Sequence, residues 1–331
     1  MKKQILKLGV FVLPVVFGWG CISGSIEEEP KIESIANFKV IGKSLSFDSF
    51  ESYENSIQNP ESITKTPFTS LARLVSNEEL NVNKRVLSDE QTFALKEYEN
   101  SLILDILDED GMVVIDGKLF YLDFVNKVAL VTSNLDLRES LKDIHNGSDE
   151  VFIFSFEDDI IGLLEEGSTG TISSLSQSIT ENNRVNVFVG DNCDWDECRY
   201  NNNVDGDTGY EYRVEAKHVY QSSGIYFKLF SQAKHMKRQS PPIYSAEDTD
   251  ITISWDYWYK SKKNSIGTRY DIGTRSKWDN VFEIQHYASS RGLEKYRLDS
   301  EFYVEVGGDH GSGIGGFTYW SFELFRISKG M

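Results

Sequence analysis

Gly311-Ser312-Gly313-Ile314-Gly315-Gly316 spells G-x-G-x-x-G, the spacing with which a glycine-rich turn approaches a dinucleotide pyrophosphate. That chemistry needs a strand before the run and a helix after it, whereas an aromatic, strand-like segment, Phe317 to Ile327, follows here. The run therefore reads as a loop. Five histidines stand at 145, 218, 235, 286 and 310 without an H-E-x-x-H pair, and no G-x-S-x-G elbow occurs. His310 neighbours Asp309 and Ser312, but a triad is defined by geometry and not by adjacency in sequence. Acids are so abundant that no two stand out as a glycosidase couple. No catalytic residue is assigned.

Oxygen-rich spacing appears once. Asn201, Asn203, Asp205 and Asp207 alternate around Gly206, behind Asp191, Asp194 and Asp196, as ligands do in a calcium loop. The first position is Asn201 in place of Asp, and the twelfth is Tyr212, with Glu211 one place early, so an Asn/Asp-rich turn leading into a strand explains the same residues. Apart from calcium there, no cofactor is expected. Cys193 and Cys198 lie five residues apart and form a small disulfide loop if the compartment is oxidising; a zinc site would need two further ligands, and the nearest histidine is His218.

Aromatics offer a binding chemistry. In Ile251-Thr252-Ile253-Ser254-Trp255-Asp256-Tyr257-Trp258-Tyr259-Lys260, apolar and polar residues alternate, and Trp258 falls in the polar phase with Thr252, Ser254, Asp256 and Lys260. Tyr303 sits likewise between Glu301 and Glu305. An aromatic ring flanked by acids is how sandwich modules stack on sugars or hold peptide ligands, so Trp258 and Tyr303 are the candidate ligand-binding residues. Cover by a loop or by the N-terminal part is the alternative explanation.

The compartment is set by the first residues. Lys2, Lys3 and Lys7 precede an apolar stretch from Leu8 to Phe17, and Gly18-Trp19-Gly20-Cys21 follows, the order of a secretory signal. The stretch falls short of the roughly 20 residues a spanning helix needs. Its end resembles a lipobox, which implies cleavage before Cys21 and lipid on its thiol, although Gly18 and Trp19 depart from the usual residues there. Residues 22–34, with Glu27-Glu28-Glu29-Pro30, are too polar to bury a core and read as a flexible acidic tether.

About 310 residues remain after Cys21, enough for two folded parts. The first, over 35–163, mixes helix and strand. Asn37–Ser46 reads as a strand; Phe50, Tyr53 and Ile57 mark a helix; Thr66-Pro67 starts another, with Phe68, Leu71, Leu74 and Val75 buried. Ser88-Asp89-Glu90-Gln91 is a capping box whose helix is expected to reach Leu107. Asp116-Gly117 joins two apolar runs as a hairpin, strands follow at 128–132 and 151–156, and a short helix is expected between them around 137–144.

The succession LSFDSFESYENSI, PFTSL, a long helix, LDEDGMVVIDGKLFYL and VALVT, covering residues 43–132, resembles a module found near the N-terminus of Bacteroidota surface lipoproteins. The resemblance implies a lipid-anchored protein of the cell envelope, at the outer membrane and surface-exposed. It implies no activity and adds no catalytic residue.

Residues 164–185, rich in Ser, Thr, Gly and Asn, read as a linker. Over 186–331 period-2 alternation dominates, with Tyr212, Val214 and Ala216 against Arg213, Glu215 and Lys217, and Phe302, Val304 and Val306 against Tyr303 and Glu305. This points to an antiparallel β-sandwich, of which the jelly roll is one form. Ile-Gly-Thr-Arg occurs at 266–269 and again at 272–275, a strand-turn echo.

The net charge of −18 is uneven: residues 208–331 carry 17 basic against 15 acidic groups, and the rest 17 against 37. Such acidity argues against nucleic acid and against an anionic membrane surface as bulk electrostatic partners. The expectation is an envelope lipoprotein with an α+β module and a β-sandwich, attached to a membrane through Cys21 and binding a glycan or protein ligand. An extracellular polysaccharide hydrolase and a purely structural envelope component are the alternatives.

Overall fold

The computed structural model describes residues 38–76, 87–144, 147–167, 181–189, 199–201, 212–240, 243–306 and 318–330. Cys21, the tether over 22–34, Cys193, Cys198, Asn203, Asp205, Asp207 and the glycine run at 311–316 lie outside them.

The first part opens with strands β1 (Phe38–Ile41) and β2 (Ser44–Phe47), a hairpin where the sequence reads as one strand. Helix α1 (Phe50–Gln58) follows; Ser49 caps it by accepting from the Ser52 N–H, and Ser52 reciprocates. Tyr53 and Ile57 form its buried stripe. After α2 (Glu61–Thr64), helix α3 (Leu71–Ser76) starts later than Thr66-Pro67 predicts, because Ser70 bridges to Asp108 and the Leu71 N–H donates to the Leu107 carbonyl at 2.8 Å. The expected long helix to Leu107 is two: α4 (Asp89–Lys96), capped by Ser88 and Gln91, and α5 (Leu102–Ile106), separated by Asn100 at φ +62°.

Tertiary bonds impose that break. The Tyr98 hydroxyl donates to the Ser222 carbonyl at 2.8 Å, and the Ser101 hydroxyl donates to Gln221 Oε1 at 2.7 Å, both across to the second part. Strands β3 (Met112–Ile115) and β4 (Lys118–Asp123) meet at Asp116 and Gly117, both with positive φ as the tight hairpin requires. Strand β5 (Val128–Thr132) precedes two 3₁₀ turns, Leu135–Glu139 and Leu141–Asp143, in place of the helix expected there. Strand β6 (Phe152–Ser155) and helix α6 (Ile160–Glu165) close this part. Its sheet runs β1-β2-β3-β4-β5-β6, with β2 and β3 parallel and the rest antiparallel.

Ten strands follow: β7 (Glu181–Val189), β8 (Arg199–Asn201), β9 (Tyr212–Ser222), β10 (Phe227–Ser240), β11 (Ile243–Ala246), β12 (Thr249–Ser261), β13 (Thr268–Asp279), β14 (Val281–Ser289), β15 (Leu293–Val306) and β16 (Thr318–Lys329). The linker expected over 164–185 is narrower at both ends, since α6 runs to Glu165 and β7 begins at Glu181, where sheet hydrogen bonds to β9 override the polar composition. One sheet is ordered β8-β7-β9-β10, with β14 and β11 sharing the far edge of β10. The other is β13-β12-β15-β16. Both are antiparallel, and their inner faces pack through Val214, Ala216 and Leu229 on one side and Ile251, Ile253, Leu298, Phe302 and Val304 on the other. This is the α+β part followed by an antiparallel sandwich that the alternation predicts.

The two parts are not separate bodies. Ala36–Met331 forms one compact unit, and Ile225 and Tyr226 of the sandwich belong to the same apolar cluster as Leu45, Phe47, Tyr53 and Phe156. Glu54 on α1 is buried and accepts from the Ser289 hydroxyl at 2.9 Å and the Ser290 N–H at 2.7 Å. Arg291 donates through Nε to both oxygens of Asp159, at 2.9 and 3.0 Å, and through a terminal nitrogen to Glu165 at 2.8 Å.

Candidate functional site

The outer face of the sheet β13-β12-β15-β16 carries the candidate site. Side chains on a strand point alternately to the two faces, so burying Ile251, Ile253, Trp255 and Tyr259 sends Thr252, Ser254, Asp256 and Trp258 outward. Trp258 is half-buried there. Register places it between Tyr270 on β13 and Arg297 on β15, and places Asp256 opposite Ile272. Tyr270 and Ile272 are 59% and 61% exposed. Trp258, Tyr270 and Ile272 thus form one apolar cluster on adjacent strands, where opposite Cβ atoms stand roughly 5 Å apart.

Polar groups frame this cluster. Thr252 pairs with Ser276 at 2.7 Å and Ser254 with Thr274 at 2.9 Å, a hydroxyl ladder across the same two strands. Arg297 is paired with Asp256, and Asp299 accepts from Arg326 at 2.8 Å. The face therefore offers rings beside fixed charges and hydroxyls, on a sheet whose hydrogen-bond ladders hold them in place.

Tyr303 is also outward and 36% exposed, and its hydroxyl donates to Glu301. It stands opposite Thr252, six positions along β12 from Trp258. At about 3.3 Å per residue that is roughly 20 Å, so the two candidate residues do not share one platform. The neighbours of Trp258 are instead Tyr270 and Ile272, which the sequence reading passes over.

The repeated Ile-Gly-Thr-Arg explains why they escape notice. Its first copy is a turn, with Gly267 at φ +64°, whereas the second copy lies inside β13. There Gly273 lies under the Trp255 ring, and a Cβ would come within 2.4 Å of it. The indole of Trp255 is fixed in that place by donating to Asp271 at 3.1 Å. One tetrapeptide thus serves two backbones, and composition alone does not separate them.

Inside the sandwich, residues far apart in sequence form a buried polar chain. Ser231 Oγ contacts His286 Nε2 at 2.9 Å and Ser300 Oγ at 2.6 Å, and Ser300 Oγ contacts His218 Nδ1 at 3.2 Å. The Ser231–His286 contact has the length of a nucleophile–base pair. Its chemistry does not follow, for two reasons: Ser231 is fully buried, and burial next to His218 lowers His286 to about 3, far from the range of a working base at neutral pH. The chain satisfies polar groups that the strands point inward.

A cleft of about 360 Å³ opens between α6 and the sandwich loops, lined by Asp158, Asp159, Gly162, Leu163, Glu166, Lys262, Arg291 and Glu294. A polysaccharide hydrolase needs two close carboxyls there, one of them raised. Asp159 is bound by Arg291, and Lys260 lowers Glu294. Burial raises the Asp105 carboxyl, which does not line the cleft.

Of the calcium candidates, Asn201 ends β8, and Asn203, Asp205 and Asp207 lie outside the described residues, as do Cys193 and Cys198. Among the described residues no group of three or more His, Cys, Asp or Glu could hold a metal ion, and no helix is long and apolar enough to cross a membrane. No known protein family, no curated protein and no solved structure matches the chain.

Proposed function

We propose that this chain is an exported envelope protein, anchored through lipid on Cys21, that binds a carbohydrate on the outer face of β12 and β13. The observation that carries the ligand reading is the cluster of Trp258, Tyr270 and Ile272 on a rigid sheet, beside hydroxyls and paired charges. A sugar presents C–H faces to rings and hydroxyls to polar groups, and this face supplies both. The anchor reading is supported by the order of Lys2, Lys3, the apolar stretch and Cys21.

Two experiments test the halves separately. Metabolic labelling with a palmitate analogue marks the wild type and spares Cys21→Ala; equal labelling of both, or of neither, removes the anchor. A glycan array probed with the full chain and with Trp258→Ala tests the face, and identical profiles would remove the carbohydrate reading.

A further inference from the structure

Strand β13 is twelve residues long, exposed along almost its whole length, and pairs among the described residues only with β12. Its inward positions, those opposite the buried residues of β12, are Arg269, Asp271, Gly273, Arg275, Lys277 and Asp279 (the last continuing the same phase opposite Thr249); its outward positions include Tyr270, Ile272, Thr274, Ser276 and Trp278. Trp278 is 47% exposed. Inward charges on an edge strand ordinarily guard it against pairing with another chain. Here the signs alternate in a way that changes what the guard excludes.

An antiparallel pair of identical strands related by a twofold axis must place inward residues opposite inward ones, so the axis passes through a residue and not between two. With the axis at Gly273, Arg269 faces the partner's Lys277. With it at Arg275, that residue faces itself and Asp271 faces the partner's Asp279. With it at Ile272, Arg269 faces the partner's Arg275. With it at Thr274, Arg269 faces the partner's Asp279, Asp271 faces the partner's Lys277, Arg275 faces the partner's Gly273, and no like charges meet. That same register sets Tyr270 opposite the partner's Trp278 on the outer face.

From this complementarity we infer that a second copy of this chain docks on the edge of β13, antiparallel and centred on Thr274, joining two four-stranded sheets into one. The four cross-strand ion pairs select the register, and the two aromatic pairs add apolar contact on the outer face. The inference stands apart from the ligand: it concerns the edge, and Trp258 on β12 takes no part in it.

Sedimentation velocity of the full chain tests it with two substitutions used singly and mixed. Asp271→Lys and Lys277→Glu each place like charges across the axis twice, and each weakens the dimer roughly tenfold or more. In an equimolar mixture the introduced lysine faces the introduced glutamate and the remaining Asp271 faces the remaining Lys277, so dimer returns to the wild-type level. Melting curves check that each variant folds; should Asp271→Lys lose its fold with the Trp255 bond, Arg269→Glu and Asp279→Lys run the same exchange. A wild type that sediments as monomer at every concentration, single variants that dimerise as the wild type does, or a mixture no better than its components would overturn the proposal.

Discussion

The seam between the two parts and the β13 flank both carry charged and aromatic side chains, yet they treat them in opposite ways. At the seam Glu54, Asp159 and Arg291 are buried or nearly so, and each is bonded within the chain. On the flank Tyr270 and Ile272 stay more than half exposed. A buried charge without a partner costs several kcal/mol, so burial forces pairing, and the seam's ion pairs are explained by the fold alone. Exposed rings on a fixed sheet are not required by the fold. The comparison therefore separates residues that hold the molecule together from residues left for something outside it.

The largest way to break that contrast lies at the seam. Arg291→Ala leaves Asp159 buried without its guanidinium and is expected to cost roughly 3 kcal/mol in urea unfolding, with both parts melting in one transition. Two transitions would mean that the parts fold apart. A smaller effect comes from the sandwich interior. Burial lowers His286 from its ordinary 6.5 to about 3, and burial lowers His235 as well. The unfolded chain therefore takes up protons that the folded chain refuses, and stability falls as pH drops below 6.5. Between pH 6 and 5, above the range in which most carboxyls titrate, His286 alone contributes a slope approaching about 1.4 kcal/mol per pH unit. His286→Asn should flatten it; an unchanged slope would show that His286 is not the group responsible. On the flank, substitutions are expected to shift stability least, within about 1 kcal/mol, and to act on association instead.

Much of this architecture is legible in the residues. Period-2 alternation announces β9, β12 and β15, and Asp116-Gly117 and Ser88-Gln91 mark a turn and a cap where the structure has them. What escapes is whatever tertiary contact decides. Nothing local in Tyr98-Glu99-Asn100-Ser101 demands a break, because the bonds of Tyr98 and Ser101 to Ser222 and Gln221 are made across more than a hundred residues. Strand β13 escapes for a different reason: its inward positions are charged, so the alternation that reveals a half-buried strand runs in reverse. His218, Ser231 and Ser300 sit in the apolar phase of their strands, and that misplacement is a signal of a buried polar chain available from sequence. Trp258 was readable as outward because its strand's phase is clear, whereas its neighbours Tyr270 and Ile272 required the register of β13.

The account turns on whether the flank engages a ligand through Trp258. The direct measurement is the affinity of the full chain for the glycan it retains best on an array, taken for the wild type, Trp258→Ala and Tyr303→Ala. Losing a central aromatic contact costs about 2 kcal/mol or more, so Trp258→Ala is expected to weaken binding about thirtyfold with its melting curve little changed, and Tyr303→Ala, roughly 20 Å away, to bind as the wild type does. Equal affinity of the wild type and Trp258→Ala would contradict the account.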